Sequence, residues 1–171
     1  MRPSLSTKRL RLRAFRRDDA PALHEIFADP HTHTIGGGPF TRIEQTEAWI
    51  ERRIATRTEL SLCWYGLQLK ATGRLIGNCG IFVGRTGANE PEIGYMIRRD
   101  CQGLGYATEA AEAVLAECAR ARLGRVWATV RPGNLASVHV LQRIGMELDR
   151  REDDDKGALL FLSRALHDRS T

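Results

Sequence analysis

Apolar and polar positions alternate at Leu10-Arg11-Leu12-Arg13-Ala14-Phe15, the period of two expected of a half-buried strand. Asp18 and Asp19 followed by Pro21 are helix-start chemistry, and Leu23, Ile26 and Phe27 share one helical face. Pro30 disfavours helical backbone at the residue before it, so this helix is predicted to stop near Asp29. A Gly-rich stretch, Gly36-Gly37-Gly38-Pro39, separates it from a second helix. That helix opens on a capping box, Thr41-x-x-Glu44, and runs to about Arg57. Cys63 to Leu69 and Leu75 to Val83 read as strands around the turn Ala71-Thr72-Gly73, and a polar turn then leads to a short strand, Glu92 to Ile97.

The strongest helical period follows. Ala107, Ala110, Ala111, Val114, Leu115 and Cys118 recur at i, i+3, i+4 and i+7, with Gly124 as the expected C-cap. Arg125 to Arg131 is a strand, and Asn134 caps a helix that ends at Ile144 with Gly145 as its left-handed stop. Met146 to Glu152 and Leu159 to Ser163 form a last hairpin around Asp153-Asp154-Asp155. The order is β-α-α-β-β-β-α-β-α-β-β, an α/β chain. No repeat or linker divides its 171 residues, so one domain is expected, 1–171 with a core from about 8 to 165.

Composition narrows the classes. Hydrophobic residues make up 42% and charged residues 27%, the balance of an ordinary globular chain, and no run approaches the roughly 20 apolar residues of a membrane helix. Met1 to Leu12 lacks the apolar core of a secretion signal, so a cytoplasmic location and four free thiols (Cys63, Cys79, Cys101, Cys118) are expected. His31 and His33 form an H-x-H pair with no accompanying ligand cluster, which reads as a polar loop rather than a metal site. The formal charge of +5 favours anionic partners, yet it is spread along the chain with no basic run or aromatic interleaving of a specific nucleic-acid binder.

Candidate chemistry concentrates in Gln102-Gly103-Leu104-Gly105-Tyr106-Ala107-Thr108, between a strand and a helix. Glycines let backbone approach a bulky anion, and the first turn of a helix offers it unpaired N–H groups and a positive dipole end. Of the phosphate loops, the Walker pattern needs a Gly-Lys-Ser/Thr ending that is absent. The dinucleotide pattern needs glycine where Thr108 stands and an acidic residue about 20 positions on. A loop for acetyl-CoA remains, beside the plain alternative of a tight turn into a helix.

At this point the chain resembles the GNAT N-acetyltransferases, and among them the RimJ/RimL-like branch of ribosomal-protein N-terminal acetyltransferases. The resembling blocks are Lys8-Arg9-Leu10-Arg11-Leu12-Arg13, Ile76-Gly77, Glu92-Ile93-Gly94-Tyr95, Gln102 through Ala110, and Asn134-Leu135-Ala136-Ser137-Val138 on to Ile144-Gly145-Met146. They span about residues 5 to 163 in the family's order. Two positions depart from the pattern. Leu141 stands where many members carry a tyrosine that protonates the leaving thiolate, and Met146 replaces the usual phenylalanine.

The resemblance implies that acetyl-CoA is the cofactor and that a primary amine accepts the acetyl group in a ternary complex. It implies a mixed, mostly antiparallel sheet in which Glu92–Ile97 and Arg125–Arg131 lie parallel and splay apart. Pantetheine is then expected to pair with backbone at Met96 and Ile97, and its diphosphate to lie over the loop formed by Gln102, Gly103, Leu104, Gly105, Tyr106, Ala107 and Thr108. Asn134 is expected to bond the pantetheine arm, beside or instead of capping its helix. Glu92 is the candidate base, acting through water, with a purely structural strand-end carboxylate as the other reading. Ser137 is the hydroxyl nearest the missing tyrosine, and a candidate donor to the departing sulfur.

The expected acceptor is a protein N-terminal α-amine, because that amine is already about a tenth neutral at pH 7 whereas a lysine is almost wholly protonated. An aminoglycoside or polyamine is the alternative, and a non-catalytic CoA- or nucleic-acid-binding module a remote one. His31, His33 and the glycines of residues 36–38 are expected to border the acceptor groove, as a turn or as a closing loop. A homodimer is left open.

Overall fold

Strand registers and helix caps organise the chain around one eight-stranded sheet, ordered β1-β2-β3-β4-β5-β6-β8-β7. The computed structural model describes residues 1–32 and 38–166. Its strands are β1 (Ser4–Ser6), β2 (Leu10–Ala14), β3 (Trp64–Leu69), β4 (Leu75–Phe82), β5 (Glu92–Ile97), β6 (Arg125–Val130), β7 (Glu147–Asp154) and β8 (Gly157–Ala165). The helices are α1 (Ala20–Phe27), α2 (Ile43–Leu60), α3 (Tyr106–Arg120) and α4 (Leu135–Arg143). Every neighbouring pair is antiparallel except β5 and β6, so the mixed, mostly antiparallel α/β architecture expected from the sequence is the one observed.

Three apolar clusters pack on the sheet, the smallest of them Trp127, Leu159 and Phe161 on β6 and β8. Leu23, Ile26 and Phe27 of α1 and Ile50 of α2 pack with Phe15 and Leu75. Ala110, Ala111, Val114, Leu115 and Cys118 of α3 pack with Cys79, Ile81, Val126 and Leu141. The period read along α3 is therefore the stripe it buries. Burying each such aliphatic side chain contributes on the order of 1.5–3 kcal/mol.

Local chemistry moves several boundaries. Gln45, not Glu44, starts α2: its side-chain oxygen accepts from the amides of Thr41 and Arg42 at 2.8 and 3.0 Å, so the helix begins later than the Thr41-x-x-Glu44 box predicts. Gly124 is not the C-cap of α3. Arg122 takes the left-handed conformation (φ 60°), and the amide of Leu123 closes onto the carbonyl of Cys118, two residues short of the glycine. Gly145 does stop α4, with φ 72° and the Met146 amide bonded to Leu141. Strand β1 is too short to show a period in the sequence. Asp153 and Asp154 belong to β7, so the final turn is tighter than expected. No helix among the described residues is long and apolar enough to cross a membrane.

Candidate active site

One rung joins the parallel pair: Glu92 faces Trp127, and the Trp127 amide donates to the carbonyl of Pro91 at 2.9 Å. Beyond it β5 and β6 diverge. The amide of Arg98 bonds Ile76 on β4, and antiparallel pairing alternates, so the peptide groups of Met96 also face β4. Those of Tyr95 and Ile97 face the opening. Of the two residues expected to pair with pantetheine, Ile97 therefore turns its peptide groups to the opening and Met96 turns them to β4, while Tyr95 shares the orientation of Ile97. The side amide of Gln102 already donates to the Ile97 carbonyl at 2.9 Å, bracing the loop that follows against the strand.

That loop turns twice through left-handed backbone, Gly103 at φ 74° and Gly105 at φ 81°. A Cβ at Gly103 would meet nothing within 4 Å, so its glycine serves the backbone angle and not a close contact inside the protein. Glu109 makes the first α3 helical bond, to Gly105 at 3.1 Å, and the amides of Tyr106, Ala107 and Thr108 are left without an intrahelical partner. They and the dipole of a 15-residue helix face the open side of the turn.

Arg9 adds a charge that the sequence reading missed. Its guanidinium lies 4.3 Å from the Tyr106 ring centre, bonds Glu109 at 2.6 Å and the Leu104 carbonyl at 2.9 Å, and stands 3.5 Å from where a Gly105 Cβ would be. A diphosphate suits this donor set: positive backbone dipoles, an arginine and no side chain in the way.

The loop and the splayed strands open into a cavity of ≈ 680 Å³, a ligand-sized volume. Among the expected site residues, Met96, Ile97, Gln102, Gly103, Gly105, Tyr106, Ala107, Thr108, Asn134 and Ser137 line it. Leu104 and Glu92 do not. The Leu104 side chain points to solvent, 55% exposed.

Glu92 is buried, with its carboxyl group committed elsewhere. It accepts from the amides of Arg85 and Thr86 and from the Thr129 hydroxyl, 2.9 Å away. Assignment of Glu92 as the base does not fit this geometry: its oxygens tie the 84–86 turn to β6 and reach no cavity space.

Ser137 is better placed. The oxygen of the Asn134 side chain accepts from the Ser137 amide at 3.2 Å, the expected cap, and so sets the first turn of α4. The Ser137 hydroxyl lies 2.8 Å from the Tyr95 phenol, whose oxygen is also 3.1 Å from the Ser137 carbonyl. Burial pushes the Tyr95 pKa up, so the phenol stays protonated and serves as a hydrogen-bonding group. Tyr95 was visible in the block Glu92-Ile93-Gly94-Tyr95, but only the packing of β5 against α4 gives it this partner.

His31 lines the same cavity, while His33, Gly36 and Gly37 lie outside the described residues. Among the described residues no cluster of three or more histidine, cysteine or acidic side chains can hold a metal ion. The four cysteines are free and buried.

Comparison with known proteins adds an independent finding. Residues 9–147 match the family model described as the acetyltransferase (GNAT) domain. The Bacillus subtilis protein YkkB is 35% identical over 150 residues, covering 85% of this chain and 86% of its own. The crystal structure of an acetyltransferase from Agrobacterium tumefaciens superposes with a TM-score of 0.83 at 29% identity, covering 96% of this chain and 95% of that one. The ribosomal-protein-S5-alanine acetyltransferase of Vibrio fischeri has a TM-score of 0.81 at 16% identity over 98% and 99% of the two chains, a likeness of fold.

Proposed function

This chain belongs to the GNAT acetyltransferase family, and from that premise we propose that it acetylates the α-amino group at a protein N-terminus. The enzyme is an acetyl-CoA-dependent N-acetyltransferase. Acetyl-CoA supplies an acetyl group already activated as a thioester.

The observation that carries the choice of acceptor is one of charge: among the described residues, no aspartate or glutamate lines the cavity. Polyamines and aminoglycosides are polycations, and desolvating several ammonium groups without carboxylate partners is costly. A peptide α-amine brings at most one charge. It is also partly neutral near pH 7, so it needs no strong base, and the position of Glu92 leaves none there. Likeness to the RimJ/RimL-like branch points the same way.

In this reading the amides of Gly103 through Thr108, with Arg9, bind the diphosphate. The open-edge amides of Tyr95 and Ile97 orient the pantetheine arm as an added strand would be oriented. Asn134 fixes the start of α4 beside that arm. As the neutral amine attacks the thioester carbonyl and the C–S bond breaks, Ser137, held by Tyr95, relays to the departing sulfur the proton that the amine sheds.

The test is a mass-spectrometric screen with acetyl-CoA against peptides with free N-termini, lysine side chains, spermidine and kanamycin. Acetylation of peptide α-amines with lysines spared is expected. Efficient acetylation of spermidine or kanamycin, with no peptide modified, overturns the acceptor and leaves the acetyltransferase standing.

A further inference from the structure

Opposite the loop and α4, the cavity wall is aromatic. Phe27 and Phe40 meet edge to face at 5.1 Å, Phe27 and Trp49 at 5.0 Å, and Trp49 and Trp64 at 5.4 Å, and Phe82 continues the run 5.3 Å from Trp64. All five line the cavity. Room for the Trp64 indole depends on Gly94, where a Cβ would come within 2.7 Å of the ring.

One polar side chain interrupts this wall. Asn78 on β4 is 1% exposed, and it lines the cavity. The Trp64 indole N–H donates to its Oδ1 at 3.0 Å. An indole N–H can only donate, so the bond identifies which Asn78 atom is the oxygen and turns Nδ2 the other way. That Nδ2 is buried with no partner among the described residues. A buried donor left unmade costs on the order of 1–3 kcal/mol, and a donor so placed at a ligand cavity is one that a ligand satisfies.

Behind the rings lies Arg53, its guanidinium 4.8 Å from the Trp49 ring centre and 4.7 Å from that of Trp64. The ring faces therefore already hold a cation. The box suits a neutral apolar group and repels a second positive charge.

We propose that Asn78 and this aromatic box read the residue that bears the acceptor amine: Asn78 Nδ2 donates to its carbonyl oxygen, and the box takes an apolar side chain. The acceptor class is thus an α-amino carbonyl compound with an apolar first side chain, a peptide beginning with a residue such as phenylalanine, leucine or methionine. This rests on the proposed α-amine acceptor and narrows it, making Asn78 a specificity-determining residue.

Calorimetric titration of the full chain in the presence of CoA tests it without turnover. L-Phenylalaninamide, phenethylamine (same ring, no carbonyl) and L-lysinamide are the probes. The amide is expected to bind more tightly than phenethylamine, and L-lysinamide at least tenfold more weakly than L-phenylalaninamide. In Asn78→Leu the ratio between the first two falls about tenfold, the worth of one buried hydrogen bond, and in Trp64→Phe about threefold because the Asn78 amide is no longer oriented.

Comparing ratios cancels the different basicities of the two amines. An unchanged ratio in folded variants, lysinamide binding as tightly as phenylalaninamide, or no binding of either aromatic probe overturns the inference. If a variant fails to fold, the wild-type preference for phenylalaninamide over lysinamide decides. Adding acetyl-CoA separates the two claims: acetylation with an unchanged ratio overturns this inference alone, whereas the expected binding pattern without acetylation overturns the α-amine acceptor and this inference with it.

Discussion

Ser137 and Glu92 entered as candidates of the same standing, and their surroundings separate them. Ser137→Ala should reduce turnover about tenfold to a hundredfold with acetyl-CoA affinity unchanged, since only proton delivery to the sulfur is lost. Tyr95→Phe should give a smaller loss, because it frees the Ser137 rotamer without removing the hydroxyl. Steady-state kinetics beside calorimetry read both effects, and equal loss of affinity would return Ser137 to a packing role.

Glu92→Ala should act on stability instead. It strands the amides of Arg85 and Thr86 and the Thr129 hydroxyl, a cost on the order of 1–3 kcal/mol that lowers the melting temperature by several degrees. The identity of both side chains was legible in the sequence, as was the hydroxyl near Leu141. Their partners were not. Asn78 faces Met96 and Tyr95 meets Ser137 through registers between segments far apart in sequence, which no local pattern encodes.

At the scale of the element, the turn into α3 gives the cleanest test. Gly105 sits at φ 81°, which costs an L-residue about 1 kcal/mol or more, so Gly105→Ala should shift the backbone that presents the amides of residues 106–108. Acetyl-CoA affinity is expected to fall about tenfold. Gly124→Ala is the control: that glycine has open space around it and lies outside the left-handed set, so affinity and melting temperature should hold.

Helices and strands were read well where a period ran long, as along α3, or where a cap was unambiguous, as at Asn134 and Gly145. They were read poorly where two caps compete within a few residues. Gln45 displaced Glu44 because it stands at the third position of a helix capped at Arg42, from which its side chain reaches back to two amides, and Arg122 pre-empted Gly124 because the closing bond from Leu123 outweighed its backbone strain.

For the whole molecule, the N-terminus is tied to α3 by a buried carboxylate. Arg120 first, then the amide and guanidinium of Arg2, hold Glu117 down at about 2 against the opposing effect of burial. A carboxylate whose folded pKa lies below its ordinary value of 4.5 contributes stability above that value, and the contribution is lost as pH falls toward 2. Melting temperature should therefore decline across that interval, and the decline should be shallower in Glu117→Gln. Equal slopes in circular-dichroism melts would remove this account.

The overall architecture was legible because motif blocks spread over most of the chain share one order. The extent of the strand divergence was not, since it depends on which rungs fail to form between β5 and β6. With a single rung there, the backbone ladder all but stops between β1 to β5 and β6-β8-β7, and the shared core under α3 and the Glu92–Thr129 bond hold the two parts together. If pantetheine adds to the open edge of β5 as proposed, the cosubstrate supplies rungs that the sheet itself lacks there. Amide hydrogen exchange at Tyr95 and Ile97 should then slow sharply when CoA is added, whereas the amide of Met96, already turned to β4, should hold its rate.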